Sequence, residues 1–277
     1  MIDLERKSSK LSDDFYWKEN FEDFQTSNAQ KYHDGVMKYS FNTLLYDVLL
    51  KDIFQRYLPK RKLKMLDAGG GTGKWAEFFC QQGHDVTLFD NSKAMLQVAH
   101  NNFQEKEFCK EIEIIQGDIC NMPFNDNTFD FVLCDRNPIS HCGKQKESYQ
   151  AISEIHRVLQ PGGIIIASVL NKYRKITQLV MELQFEKAKA LFKESYMQRA
   201  DNQYTYYFTS QELQKVLEDT KFQNINLFPT TALAEYIPTA WLLSETALKP
   251  LLELEQMIRN KNEMLDSGVR YHFVATK

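Results

Sequence analysis

The chain has 277 residues, 43% hydrophobic and 13% aromatic, enough for a substantial core in one α/β domain with additions or in two small domains. Its 34 Lys and Arg stand against 37 Asp and Glu, and the formal charge of -3 gives no global electrostatic basis for a nucleic-acid partner. The five cysteines, Cys80, Cys109, Cys120, Cys134 and Cys142, are odd in number and hold no C-x-x-C pair, so reduced thiols in a cytoplasmic protein are expected.

In chain order, the polar opening MIDLERKSSKLSDD lacks an apolar signal core, and no stretch nears the roughly 18 apolar residues of a membrane span. A soluble, unexported chain is the expectation. FYWKENFEDF, from Phe15, reads as a short helix lying over something else. From Tyr39 to Tyr57, the apolar positions Phe41, Leu44, Leu45, Val48, Leu49 and Ile53 recur at three and four, one face of a helix that Pro59 stops. The basic run Lys60, Arg61, Lys62 and Lys64 reads as a solvated turn, with a phosphate or RNA contact as the alternative. Strand and helix signals then alternate: LKMLDA, a glycine loop and helix through Gln82, DVTLFD, a helix from Lys93, IEIIQGD, FDFVLCD, a helix near 145–159, and IIIASVL. Continuous apolar runs are strands covered on both faces, so the fold class is α/β, a doubly wound and mostly parallel sheet with helices on both faces. Beyond Leu170, Ile176, Leu179, Val180 and Leu183 keep helical spacing and predict a helical cap through about Arg199. Thr209 and Glu212 form a capping-box signature for a helix through Leu217. Strands are expected at Asn224–Phe228 and Tyr271–Thr276, with a helix opened by Pro250 between them.

The segment Leu66 to Lys74, LDAGGGTGK, follows a strand and opens a helix, with glycines at Gly69, Gly71 and Gly73 where backbone must turn sharply or approach a ligand. A Walker loop does not fit, because Ala68 stands at its first glycine and Trp75 at its magnesium-binding hydroxyl. A dinucleotide fingerprint is also broken, with Lys74 three residues after Gly71. Asp90 ends the next strand at about the twenty-residue distance where α/β sites present a carboxylate to ribose hydroxyls, though a helix cap for Asn91-Ser92-Lys93 explains it too. Asp118 and Asp135 end two further strands, so with Asp67 and Asp90 four acidic residues mark the edge of a parallel sheet where ligands bind. A turn role for any one of them remains the alternative.

In combination these segments resemble the class I methyltransferases that use S-adenosylmethionine, especially the small-molecule branch with the menaquinone and ubiquinone C-methyltransferases. LDAGGGTGKWA resembles that family's first motif, LFDNSKAML its second-strand acidic motif, QGDICNMPFNDNTFDFVLCD its adenine and fourth-strand region, and EIHRVLQPGGIIIASV the entrance to its fifth strand. The resemblance implies a Rossmann-like, seven-stranded sheet with a helical cap or lid. Its division is an N-terminal helical segment over the donor site (1–58), the donor-binding core (59–170), a cap insertion (171–208), and the C-terminal part of the sheet with an inserted helix (209–277). It implies S-adenosylmethionine as cofactor and S-adenosylhomocysteine as product, with Gly69 and Gly71 at the methionine part and Asp90, followed by Asn91, at the ribose. Asp118 and Ile119 would meet the adenine, Asp67 would act through water or the loop backbone, and Asp135 would line the floor beneath the sulfonium. Pro161-Gly162-Gly163 is then a structural turn.

The fourth-strand exit CDRNPISHC departs from the family's more apolar run, which leaves the acceptor side open. Methyl transfer from a sulfonium requires alignment and exclusion of water, without a metal or a covalent intermediate. If the acceptor is a hydroxyl or an acidic carbon, His141 is the candidate base, a solvated loop histidine being the other reading. Tyr32, Tyr39, Arg136 and Tyr207 are candidates for the substrate pocket, and Phe15, Tyr16 and Trp17 for cover over the donor; core packing explains the aromatics equally. The expected function is methylation of O, N or C on a small molecule, by a monomer or homodimer with no nucleic-acid partner. The rivals are a donor-binding scaffold without catalysis and an RNA or protein methyltransferase.

Overall fold

The computed structural model describes residues 41–106, 109, 111–234 and 245–277. The expected helix at FYWKENFEDF, the aromatics Phe15, Tyr16 and Trp17, and the pocket candidates Tyr32 and Tyr39 lie outside the described residues.

Helix α1 (Phe41–Tyr57) stops two residues before Pro59 and leads into β1 (Lys64–Ala68). The glycine loop then opens α2 (Lys74–Gln81), followed by β2 (Asp85–Asp90), α3 (Lys93–Gln104), β3 (Glu113–Gln116) and β4 (Phe129–Cys134). A short α4 (Pro138–His141), α5 (Gln145–Val158) and β5 (Leu159–Leu170) complete the run of parallel strands. The cap follows as α6 (Lys172–Met181), α7 (Phe185–Glu194) and a hairpin of β6 (Tyr196–Gln198) and β7 (Tyr204–Tyr206). Last come α8 (Ser210–Asp219), β8 (Gln223–Thr230), α9 (Glu245–Ile258) and β9 (Arg270–Thr276).

The main sheet has seven strands in the order β3-β2-β1-β4-β5-β9-β8. Strands β1 to β5 pair in parallel, and β9 alone runs against its neighbours β5 and β8. Alternating side chains feed two cores, as a pleated strand requires. Leu66, Ala68, Val132 and Cys134 pack with Ile152, Ile155 and Leu213 on one face. Met65, Phe131 and Leu133 pack with Leu50, Phe54, Trp75 and Phe79 on the other. The sheet is therefore covered on both sides, as its apolar runs predict. Because β1 to β4 are parallel, the segments that follow them emerge at one edge, and the sequence places Asp67, Asp90, Asp118 and Asp135 there. The basic run lies at the opposite edge, where Arg61 pairs with Asp130 at 2.8 Å and Lys62 with Asp85 at 2.5 Å.

Three local expectations change. Pro250 sits inside α9 rather than opening it. A proline there forfeits one intrahelical bond, and the packing of Leu251 with Leu45, Leu49 and Ala234 offsets the loss. The capping box at Thr209 forms by half: Thr209 Oγ1 accepts from Glu212 N at 3.1 Å, but the Glu212 carboxylate turns to the hydroxyls of Tyr149 and Tyr206. The cap is helical only to Glu194, short of the expected Arg199, and closes with the β6–β7 hairpin. The five cysteines are free thiols, Cys120 Sγ donating to Glu147 O and Cys142 Sγ to Pro138 O, each at 3.3 Å.

Candidate donor and acceptor site

The loop between β1 and α2 is held open by left-handed backbone. Gly73 has φ +79°, and a Cβ on it would stand 2.4 Å from the Phe103 ring. Gly71 has φ +57° and a Cβ there would meet nothing within 4 Å, so its backbone borders open space. Asp90 braces the loop from the end of β2: its Oδ2 accepts from Gly71 N at 2.9 Å and its Oδ1 from Ser92 N at 2.8 Å. Ser92, not Asp90, caps α3, with Oγ accepting from Met95 N at 3.3 Å. Each Asp90 oxygen keeps a second lone-pair direction. Burial raises the pKa of its carboxyl, against the bonds from Ser92, Gly71 and Asn91.

Asp67 lies beneath the loop, buried, with Oδ2 accepting from Ala76 N at 3.0 Å. Burial, then the charges of Asp135 and Asp90, push its pKa up to about 8. After β3, exposed Asp118 forms a tight turn, its Oδ1 accepting from Cys120 N at 2.8 Å, while Ile119 is buried. Asn91 is exposed and its carbonyl accepts from Gln116 Nε2 at 3.0 Å.

Asp135 is the centre of a buried network. It accepts from Tyr46 Oη, from Trp75 Nε1 at 3.1 Å and from Ser168 Oγ at 3.4 Å, with His272 Nε2 at 3.2 Å. Thr230 Oγ1 meets the other nitrogen, His272 Nδ1, so a neutral imidazole with its proton on Nε2 satisfies both contacts. Burial opposes ionisation of Asp135, but the His272 contact, the Arg136 charge and the Tyr46 bond outweigh it and hold the carboxyl well below the usual range. Burial dominates at His272 and lowers its pKa, so the network carries one negative charge at neutral pH.

The chain leaves β4 through two successive non-glycine residues in the left-handed region, Arg136 (φ 61°) and Asn137 (φ 69°). Asn137 N donates to Ser168 Oγ at 3.1 Å, while its buried Oδ1 has no hydrogen-bond partner among the described residues. Pro138 next to it fills the space where a Cβ on Gly69 would stand. Sequence reasoning missed Asn137, Tyr46 and His272. A strained exit and a lone histidine inside an apolar strand were their only local signals.

On the acceptor side, the Arg136 and Arg270 guanidinium carbons stand 4.8 and 5.6 Å from the Tyr46 ring centroid. His141 ends α4, half-buried, with Nδ1 3.3 Å from Thr205 Oγ1 of β7. Burial, then the Arg199 and Arg270 charges, push its pKa down to about 3. Arg136 and Arg270 thus both stand at Tyr46, and the Arg270 charge also reaches His141. Tyr207 packs with Leu179, Ala188 and Leu191 inside the cap. Lys74 pairs with Asp47 of α1 and so ties that helix to the glycine loop. No group of three or more potential metal ligands occurs among the described residues.

A methyltransferase domain family model matches residues 65–163. The chain is 26% identical over 227 residues to the ubiquinone/menaquinone biosynthesis C-methyltransferase UbiE of Haemophilus ducreyi, covering 76% of this chain and 86% of that protein. It is 32% identical over 126 residues to a demethylmenaquinone methyltransferase of Staphylococcus epidermidis, spanning 44% of this chain and 48% of that one. Among solved structures, an S-adenosylmethionine-dependent methyltransferase of Thermotoga maritima, described as a possible histamine N-methyltransferase, aligns with a TM-score of 0.57 at 20% identity, covering 93% of this chain and 98% of that one. The chain thus carries a methyltransferase domain over residues 65–163 in a Rossmann-like fold, and the glycine loop and the C-methyltransferase relatives support a class I S-adenosylmethionine-dependent methyltransferase.

Proposed function

We propose that this methyltransferase acts on a small molecule with an ionisable hydroxyl on an aromatic or enolic frame, at the oxygen or at the adjacent carbon. The placing of Arg136 and Arg270 about Tyr46, with the Arg270 charge reaching His141, carries the reading; Arg199 is paired with Asp201 at 3.0 Å. Positive groups in a poorly solvated wall favour the deprotonated form of a hydroxyl, and a phenolate or enolate is nucleophilic at both oxygen and carbon. The H. ducreyi relative, a C-methyltransferase of ubiquinone and menaquinone biosynthesis, supports the same acceptor chemistry.

S-adenosylmethionine supplies an electrophilic methyl group on a sulfonium, transferred by in-line displacement. The residues on the ligand edge fit it, since Gly71 borders open space and Asp90 has lone pairs to spare for a vicinal diol. In this reading Gly69 and Gly71 admit the methionine part, and Asp90 with neighbouring Asn91 holds the ribose. Asp118 and Ile119 border the adenine. Asp135 faces the sulfonium as a fixed negative charge, Asp67 anchors the loop through Ala76 N, and Asn137 Oδ1 takes a hydrogen bond from the donor's ammonium group. His141, neutral with its pKa pushed down to about 3, positions the hydroxyl by a hydrogen bond, while the nearby arginine charges lower the hydroxyl's own pKa so that its proton is released to solvent.

The test is transfer of a labelled methyl group to matched acceptors: a dihydroxynaphthalene, its fully O-methylated ether, and an aryl amine. The dihydroxy compound should be methylated and its ether should not. Arg270→Gln should shift the pH at half-maximal kcat upward by about one unit, the loss of one nearby charge. Methylation of the amine alone, or a pH profile that ignores Arg270, contradicts the reading.

A further inference from the structure

The α6–α7 hairpin exposes apolar surface at its turn. Of the large apolar side chains exposed among the described residues, Tyr173, Val180, Met181, Leu183, Phe185 and Phe192 fall between 173 and 192, and only Leu254 and Met257 lie elsewhere. The inner side of the hairpin is already occupied, with Leu179, Ala188 and Leu191 packed on Tyr207. Tyr173 and Val180 on α6, like Phe185 and Phe192 on α7, are seven residues apart and share a helix face. Leu183, 75% exposed, also holds φ 58°, a conformation that suits Gly or Asn and is unfavourable for a bulky side chain. An apolar residue both strained and solvated at a turn is accounted for if a second phase removes it from water.

Charge indicates which phase. Residues 172–194 contain six basic side chains against three acidic ones, in a chain of net charge -3. Lys187, Lys189 and Lys193 are exposed on α7 beside the apolar stripe. We propose that the hairpin turn enters the interfacial layer of an anionic lipid bilayer, with Met181, Leu183 and Phe185 among the acyl chains and the α7 lysines at the headgroup phosphates. Glu182 and Gln184 interrupt the apolar run at the turn, which suits shallow insertion better than the continuous surface a second copy needs. The helix α6 leaves the carboxyl end of β5, where Asn171 caps it by accepting from Tyr173 N at 2.9 Å. The hairpin therefore rises from the ligand edge of the sheet, and docking brings the acceptor side toward the bilayer. The inference does not rest on the acceptor reading, because binding to vesicles needs neither donor nor acceptor.

The test is flotation of the full chain with vesicles of phosphatidylcholine alone or mixed with phosphatidylglycerol, at low and high salt. The wild type should float with the anionic vesicles, release at high salt, and float weakly with the neutral ones. Met181→Ser with Leu183→Asn should lower the bound fraction about tenfold, since asparagine tolerates the turn. Lys187→Glu with Lys193→Glu should abolish the preference for anionic lipid. Unchanged S-adenosylhomocysteine binding in both variants shows that the fold and donor site are intact. A wild type that floats with neither vesicle overturns the proposal, and so does a dimer in light scattering that the Met181 and Leu183 changes dissociate.

Discussion

Replacing Asp67 by asparagine should make the fold less sensitive to alkaline pH. The carboxyl is 1% exposed, receives a single backbone hydrogen bond from Ala76 N, and has Asp135 and Asp90 as charged neighbours. Its pKa rises from an ordinary 3.8 to about 8, so between those values the folded chain holds a proton that the unfolded chain has released. Its contribution is fully present below pH 3.8 and is lost as pH climbs through 8. His141 acts with the opposite sign: its folded pKa of about 3 lies below the ordinary 6.5, so its contribution is lost as pH falls through that window. Measurements above pH 6.5 therefore leave His141 out, and the comparison with Asp67→Asn isolates Asp67. From there to pH 8 the difference spans about 1.5 units, or about 2 kcal/mol. Urea unfolding followed by circular dichroism at several pH values across that range gives the slope. The wild type should lose about 2 kcal/mol, and Asp67→Asn, which keeps an acceptor for Ala76 N, should lose little. Parallel slopes for the two proteins would refute the assignment of the buried proton to Asp67.

Three further outcomes follow from the same geometry. Gly73→Ala should cost about 2 kcal/mol or more, because its Cβ meets Phe103 at 2.4 Å with φ +79°; Gly71→Ala should cost about 1 kcal/mol yet weaken S-adenosylhomocysteine binding at least about tenfold, by calorimetry beside thermal melts. Glu255→Gln should cost about 2 kcal/mol and speed amide exchange at 232–234, since that carboxylate accepts from Ala232, Leu233 and Ala234 N at 3.0, 2.8 and 3.0 Å. His141→Gln should flatten the loss of stability between pH 6.5 and pH 4 in the same unfolding series, and an unchanged acid slope would show that His141 is not held neutral in the folded chain.

The core was legible because local chemistry and global packing agree there. LKMLDA and FDFVLCD are apolar on both faces and form β1 and β4 at the centre of the sheet. The glycine spacing marked a loop whose φ values only glycine takes without strain. What escaped the sequence depends on distant partners. Tyr46 and His272 meet 226 residues apart, and nothing in YDVLL or RYHFVAT signals Asp135 between them. Asn137 reads as a turn former until β5 supplies Ser168 and burial isolates its Oδ1. Pro250 misled because proline at a first turn is the common case, while tertiary packing on α1 holds this one within the helix.

The central claim is that the edge formed by Gly71, Asp90 and their neighbours binds S-adenosylmethionine. Calorimetric titration of the full chain with S-adenosylmethionine and S-adenosylhomocysteine, beside Asp90→Ala, tests it most directly. Two hydrogen bonds from ribose to a charged carboxylate are together worth about 3 kcal/mol, so micromolar binding by the wild type should weaken about a hundredfold in the variant. Folded wild-type protein that binds neither ligand, or Asp90→Ala that binds as tightly as the wild type, would contradict the account.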